Sequence, residues 1–145
     1  MSDRADKLAA LATALIDSRN GYFEALEDAE GRGLTTLFKE MVALRTEAIV
    51  ELEPFVVAAG GKVNEDGSFM STVHRTVISI RAMLTELDEK ILPSLISGEE
   101  RILGYYDDAL KVSSTDYPEY AALQRQRGTL VAKITQMQSA LDAAA

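Results

Sequence analysis

Apolar residues recur at alternating spacings of three and four along most of the chain, which is typical of amphipathic α-helices. No segment shows the strict apolar–polar alternation of a half-buried β-strand. The pattern predicts four long helices, over about 3–30, 34–59, 86–112 and 117–141. It also predicts a short amphipathic helix over about 71–84. The sequence therefore predicts an all-α protein.

Glycine and proline mark the predicted helix ends. Gly31 and Gly33 follow the first long helix, and Gly60-Gly61 follows the second. Pro54 lies near the end of the second helix, where it should bend the chain. Pro93 lies inside the third segment, so we expect either a kink there or a helix that begins at this residue.

The lengths of the connections predict how the helices are arranged. Short turns join the first helix to the second and the third to the fourth, whereas the segment from about 60 to 85 is long enough to cross the bundle. Two helical hairpins joined by a long crossover, here carrying the short extra helix, form the ferritin-like arrangement. We therefore predict one ferritin-like four-helix-bundle domain over residues 1–145, with the second and third helices parallel.

Each long helix carries one charged residue in the middle of its apolar stripe. These residues are Arg19, Arg45, Glu99 and Arg127. The two hairpins resemble an internal repeat that aligns Arg19 with Glu99 and Arg45 with Arg127, which predicts a polar layer across the core. A lone buried charge costs several kcal/mol, so such a layer must pair internally or reach water. In the alternative interpretation, the arginine side chains extend past the core and end in solvent.

Composition excludes several classes of function. The chain has 23 acidic and 15 basic residues, a net charge of −8 that argues against binding to a nucleic-acid backbone. It has no cysteine and a single histidine, His74, which we expect to be a structural residue of the short helix. No apolar run approaches the roughly 20 residues of a membrane span, and no targeting signal is visible. The sequence therefore predicts a cytoplasmic protein without a membrane or nucleic-acid partner.

Four stretches of the chain resemble a known family. They are DSRNGYFEALEDA (17–29), LFKEMVALRTEAIVELEPF (37–55), DGSFMSTVHRTVISI (66–80) and SGEERILGYYDDALK (97–111). In their order and spacing they resemble a bacterial family of ferritin-like four-helix-bundle domains of unknown function, over roughly residues 5–141. The resemblance implies a fold and a superfamily, but no activity.

Ferritin-like proteins often hold two metal ions, using a Glu from each of two helices and a Glu-x-x-His motif from each of the other two. Here Arg19 stands at the first of these positions, and Arg45 and Arg127 begin the segments that align with the two motifs. Only Glu99 matches the expected ligand type, and the fourth helix contains neither Glu nor His from Tyr120 onward. We therefore expect no dinuclear metal site and no cofactor.

The sequence favours a non-catalytic interaction or assembly module, which binds either a second copy of the chain or another protein. Two alternatives stay open. One is a metal-binding or oxidoreductase protein with an unconventional site near Glu99. The other is a binder of a small anion through the core-facing Arg19, Arg45 and Arg127, because guanidinium groups match the geometry of carboxylate and phosphate.

Overall fold

The computed structural model describes residues 2–29, 34–63 and 88–144, which form four helices and no strand. The helices are α1 (Asp3–Ala29), α2 (Thr35–Ala58), α3 (Asp88–Val112) and α4 (Tyr120–Ala144). The predicted all-α class is confirmed. The predicted short helix over 71–84, which includes His74, lies outside the described residues.

One predicted helix start differs from the structure. Helix α3, described from Asp88 onward, continues through Pro93, so of the two predicted alternatives the proline lies inside the helix and does not begin it. Helix α4 begins at Tyr120, because residues 114–119 form turns in which the amide N–H groups of Tyr117 and Tyr120 donate to the carbonyl oxygens of Ser114 and Tyr117. Pro54 lies inside α2 and close to its last residue, Ala58, in agreement with its predicted position near the helix end.

Glycines end α2 and bring the chain close to α1. Gly60 has a φ of 96°, a left-handed conformation that glycine adopts without steric cost. A β-carbon at Gly61 would lie 3.0 Å from Cγ1 of Val56 and 3.3 Å from the carbonyl oxygen of Ala5. The second glycine therefore permits a close approach between the end of α2 and the start of α1.

Side-chain contacts give the direction of each helix. Helix α1 packs on both α2 and α3, α3 packs on α4, and α2 and α4 share the least extensive of the four interfaces. Arg4 near the start of α1 bonds Glu119 beside the start of α4, whereas Tyr22 late in α1 bonds Glu99 in the first half of α3. Helices α1 and α3 are therefore antiparallel. Because α1 is also antiparallel to α2, helices α2 and α3 are parallel and lie at opposite corners.

The core consists of two apolar clusters. One surrounds Leu11, Leu15 and Leu52, and the other surrounds Phe38 and Met41. Buried leucine and phenylalanine side chains of this kind supply most of the free energy that holds a bundle together. No helix within the described part of the chain is both long enough and apolar enough to cross a membrane.

Candidate functional site

A buried ion pair lies between the two apolar clusters. Arg45 of α2 and Glu99 of α3 are each only 2% exposed, and Nη2 of the arginine donates to Oε1 of the glutamate. Burial lowers the pKa of Arg45 from its ordinary value, because a low-dielectric environment disfavours the charged form. The carboxylate of Glu99 opposes this effect by placing a negative charge against the guanidinium. The pair joins two helices at opposite corners of the bundle.

Two further polar atoms of the pair are bonded to α1. The Tyr22 hydroxyl donates to Oε2 of Glu99 at 2.8 Å, and Nε of Arg45 donates to the Ser18 hydroxyl oxygen at 3.3 Å. The ring of Phe38 packs on Tyr22 in an edge-to-face arrangement, with 5.1 Å between centroids and an angle of 81° between the ring planes. Both oxygens of Glu99 therefore accept a hydrogen bond from a positioned donor. The predicted polar layer consists of four charged residues and does not include Tyr22.

Arg19 and Arg127 lie apart from this pair. Arg19 is half-buried and donates from Nε to Oδ1 of Asn20 at 3.2 Å. Arg127 donates from Nε to Oδ1 of Asp107 at 2.6 Å, in a partly exposed ion pair between α4 and α3. Because α1 and α3 run in opposite directions, Glu99 lies beside Tyr22, about one helical turn beyond Arg19. Of the four residues in the predicted polar layer, Arg45 and Glu99 thus contact each other, whereas Arg19 and Arg127 contact other residues.

The donor set around Glu99 does not suit a metal ion. Its two carboxylate oxygens face a guanidinium and a phenol hydroxyl, both of which are hydrogen-bond donors. Over residues 2–29, 34–63 and 88–144, no three His, Cys, Asp or Glu side chains come together in a group that could hold a metal ion. A cation at this point would have to displace Arg45 from its buried position.

A second ion pair holds the end of the bundle where α1 and α4 begin. Nε and Nη2 of Arg4 donate to the two carboxylate oxygens of Glu119 at 2.6 and 2.8 Å. The Ser113 hydroxyl donates to Glu119 at 2.6 Å, and the guanidinium carbon of Arg4 lies 4.1 Å from the centroid of the Tyr117 ring. Burial alone would raise the pKa of Glu119, but the hydrogen bonds from Arg4 and Ser113 outweigh it and lower that pKa.

Acid should weaken this second ion pair. The folded-state pKa of Glu119 lies below its ordinary value of about 4.3. The stabilisation that the ionised carboxylate contributes is therefore complete above about pH 4.3 and lost as pH falls through the folded-state pKa. We expect Glu119→Gln to lower the free energy of unfolding by about 1–3 kcal/mol at neutral pH, and less below pH 3 or so. Urea melts across this range measure the difference. An equal loss at both ends of the pH range would contradict the expectation.

A groove lies along the interface between α2 and α4. Its volume is about 280 Å³, and the buried Arg45 forms part of its lining. The Tyr106 hydroxyl donates to Oε1 of Gln126 at 2.8 Å, and Nε2 of Gln126 donates to Oε1 of Glu51 at 2.6 Å. Arg125 also donates to Glu51, at the outer side of the groove. The hydrogen bonds from Gln126 and Arg125 lower the pKa of the Glu51 carboxyl.

The two buried tyrosines should ionise only in strong alkali. Burial raises the pKa of Tyr22 to about 12 and that of Tyr106 to about 12. Their contribution to stability is therefore present below about pH 10, the ordinary tyrosine pKa, and lost as pH rises towards 12. In an alkaline titration followed by the near-ultraviolet absorbance of tyrosinate, we expect a late phase near pH 12 from these two residues. The double substitution Tyr22→Phe and Tyr106→Phe should remove that phase. Retention of that phase in the double variant would refute the assignment.

One comparison with known proteins identifies a related family. A family model described as a domain of unknown function (DUF2383) matches residues 3–112. The match begins at the first residue of α1 and ends at the last residue of α3. Neither the curated proteins nor the solved structures contain a match to the chain.

Proposed function

The chain belongs to the DUF2383 family, and from that premise we propose that it is a ferritin-like bundle that acts as a non-catalytic interaction or assembly module. The directions of the helices support the fold assignment. Two antiparallel hairpins in which α2 and α3 are parallel are the helix directions of ferritin-like proteins. A bacterial origin and a cytoplasmic location are parts of the same proposal and rest on the sequence alone.

The observation that carries the proposed function is the Arg45–Glu99 pair at the bundle centre. In dinuclear proteins of this architecture, inward-facing carboxylates and imidazoles fill the centre and hold the ions. Here the centre contains a permanent cation, which neutralises the one carboxylate of the pair. Hydrogen bonds from Tyr22 and to Ser18 hold both charged groups in place. This arrangement fixes the relative positions of the helices, and it leaves neither charged group of the pair free to bind a metal ion.

The alternative of a metal site near Glu99 is tested by elemental analysis. The full chain is expressed in medium supplemented with iron, manganese and zinc, purified without chelator, and assayed for bound metal. We expect no stoichiometric ion, because Arg45 competes with any cation for Glu99. About one transition-metal ion per chain, retained on dialysis, would support the metal-binding alternative.

The outer side of α2 offers a surface for assembly. Val50 and Val57 are 66% and 60% exposed, and they lie two helical turns apart on one side of the helix with the exposed Pro54 between them. Exposed apolar groups of this kind gain free energy when another protein covers them. Of the two kinds of partner that the sequence predicts, we propose a second copy of the chain as the one that contacts this surface.

Sedimentation velocity over a range of protein concentrations tests the assembly surface. We expect the wild-type chain to self-associate, and the double substitution Val50→Glu and Val57→Glu to shift the distribution to monomer. Val131→Glu on α4 is the control for the addition of a negative charge, since it places a glutamate on a different helix at a partly exposed valine. A wild-type chain that stays monomeric throughout contradicts self-assembly and leaves a different protein as the partner.

The small-anion alternative receives less support. Of the three arginines that it invokes, only Arg45 lies in the core, and its charge is matched by Glu99. Arg19 and Arg127 contact other residues, so the three guanidinium groups do not form one receptor.

A further inference from the structure

We propose that the groove between α2 and α4 binds a small zwitterion, of the class of free α-amino acids with an apolar side chain. This inference goes beyond the proposed assembly role and does not depend on it. The size of the groove sets the first limit. Sites for drug-sized ligands have volumes of about 300–1,000 Å³, so a groove of about 280 Å³ suits a smaller molecule.

The apolar part of the groove would receive the side chain of the ligand. Leu44, Ala48 and Leu130 contribute to its lining, and the partly exposed Leu44 offers apolar surface to a ligand. Burying an apolar side chain against such residues favours binding through the hydrophobic effect. A ligand that carries charges but no apolar group would leave this part of the groove in contact with water.

The charged part of the groove presents opposite charges from two helices. Glu47 and Glu51 belong to α2, and Arg125 belongs to α4. A carboxylate can accept two parallel hydrogen bonds from a guanidinium, and an ammonium group donates to carboxylates. Within the described part of the chain, Glu47 forms no hydrogen bond or ion pair, so its carboxylate is available to an ammonium group. The two charges of an amino acid therefore have partners on facing helices.

The existing Arg125–Glu51 ion pair does not block this site. The side chains of Arg125 and Glu51 are 61% and 34% exposed, and ion pairs between such exposed groups contribute little to stability. A ligand carboxylate can replace Glu51 on Arg125, while the ligand ammonium group binds Glu51 and Glu47. Because α2 and α4 share the least extensive interface of the bundle, a ligand can enter the groove without separating a tightly packed surface.

Isothermal titration calorimetry of the full chain with four probes tests the class of ligand. The probes are L-leucine, glycine, 3-methylbutylamine, which lacks the carboxylate, and 4-methylpentanoate, which lacks the ammonium group. We expect L-leucine to bind, and each of the other three to bind about tenfold more weakly or worse, because each lacks one of the three contacts. Absence of leucine binding at millimolar concentrations, or equal affinity for leucine and either singly charged analogue, would overturn the proposal.

Two variants locate the binding site. Arg125→Gln and Glu47→Gln should each weaken leucine binding by about tenfold. Arg127→Gln is the matched control, because Arg127 is a partly exposed arginine on the same helix whose ion pair with Asp107 does not line the groove. Circular dichroism confirms that each variant is folded. Leucine affinity that is unchanged in Arg125→Gln, or reduced equally in Arg127→Gln, would show that the groove is not the site.

Discussion

Replacing Glu99 with glutamine should lower the free energy of unfolding by about 3–5 kcal/mol, the usual cost of breaking a buried ion pair by removing one partner. The amide is close in size to the carboxylate but leaves the charge of Arg45 buried without its counter-charge. The hydroxyl of Tyr22 also loses its charged acceptor. Urea melts of the variant and the wild-type chain measure the loss.

Two further variants separate charge from packing. The double substitution Arg45→Met and Glu99→Leu should cost much less than Glu99→Gln alone, because well-packed apolar side chains remove both desolvation penalties. Asp107→Asn, which breaks the exposed ion pair with Arg127, should change stability by less than about 1 kcal/mol. A change under about 0.5 kcal/mol for Glu99→Gln, as expected of a surface substitution, would mean that the pair is solvated.

The Phe38→Ala substitution should cost about 3–5 kcal/mol, because it opens a cavity in the fully buried cluster around Phe38 and Met41. It also removes the ring that packs edge-to-face against Tyr22. We expect the Tyr22 hydroxyl to become more mobile and its pKa to fall from about 12 towards the ordinary value. Urea melts and an alkaline absorbance titration measure the two effects in the same variant.

Phe38→Leu serves as the control for that variant. Leucine keeps an apolar side chain at the site and should leave a smaller cavity, so a smaller loss of stability is expected. If Phe38→Ala destabilises the chain but leaves the titration of Tyr22 unchanged, then packing against Phe38 does not position the hydroxyl.

The amphipathic pattern predicted four long helices, and it did so because each helix repeats its apolar face over many turns. The start of α4 was less well predicted, because contacts between residues distant in the sequence set it. The segment before α4 forms turns stabilised by the contacts of Glu119 with Arg4 and Ser113. A local pattern cannot show a contact between residues that are distant in the sequence.

The sequence by itself determined which positions interrupt the apolar stripes, and therefore that Arg45 and Glu99 needed either a partner or access to water. Only the tertiary structure decided that these two residues bind each other and that Tyr22 completes the pair, while Arg19 and Arg127 contact Asn20 and Asp107. The physical reason is that periodicity fixes the face of a helix on which a residue lies, whereas direction, height and rotation within the bundle depend on packing against the other helices.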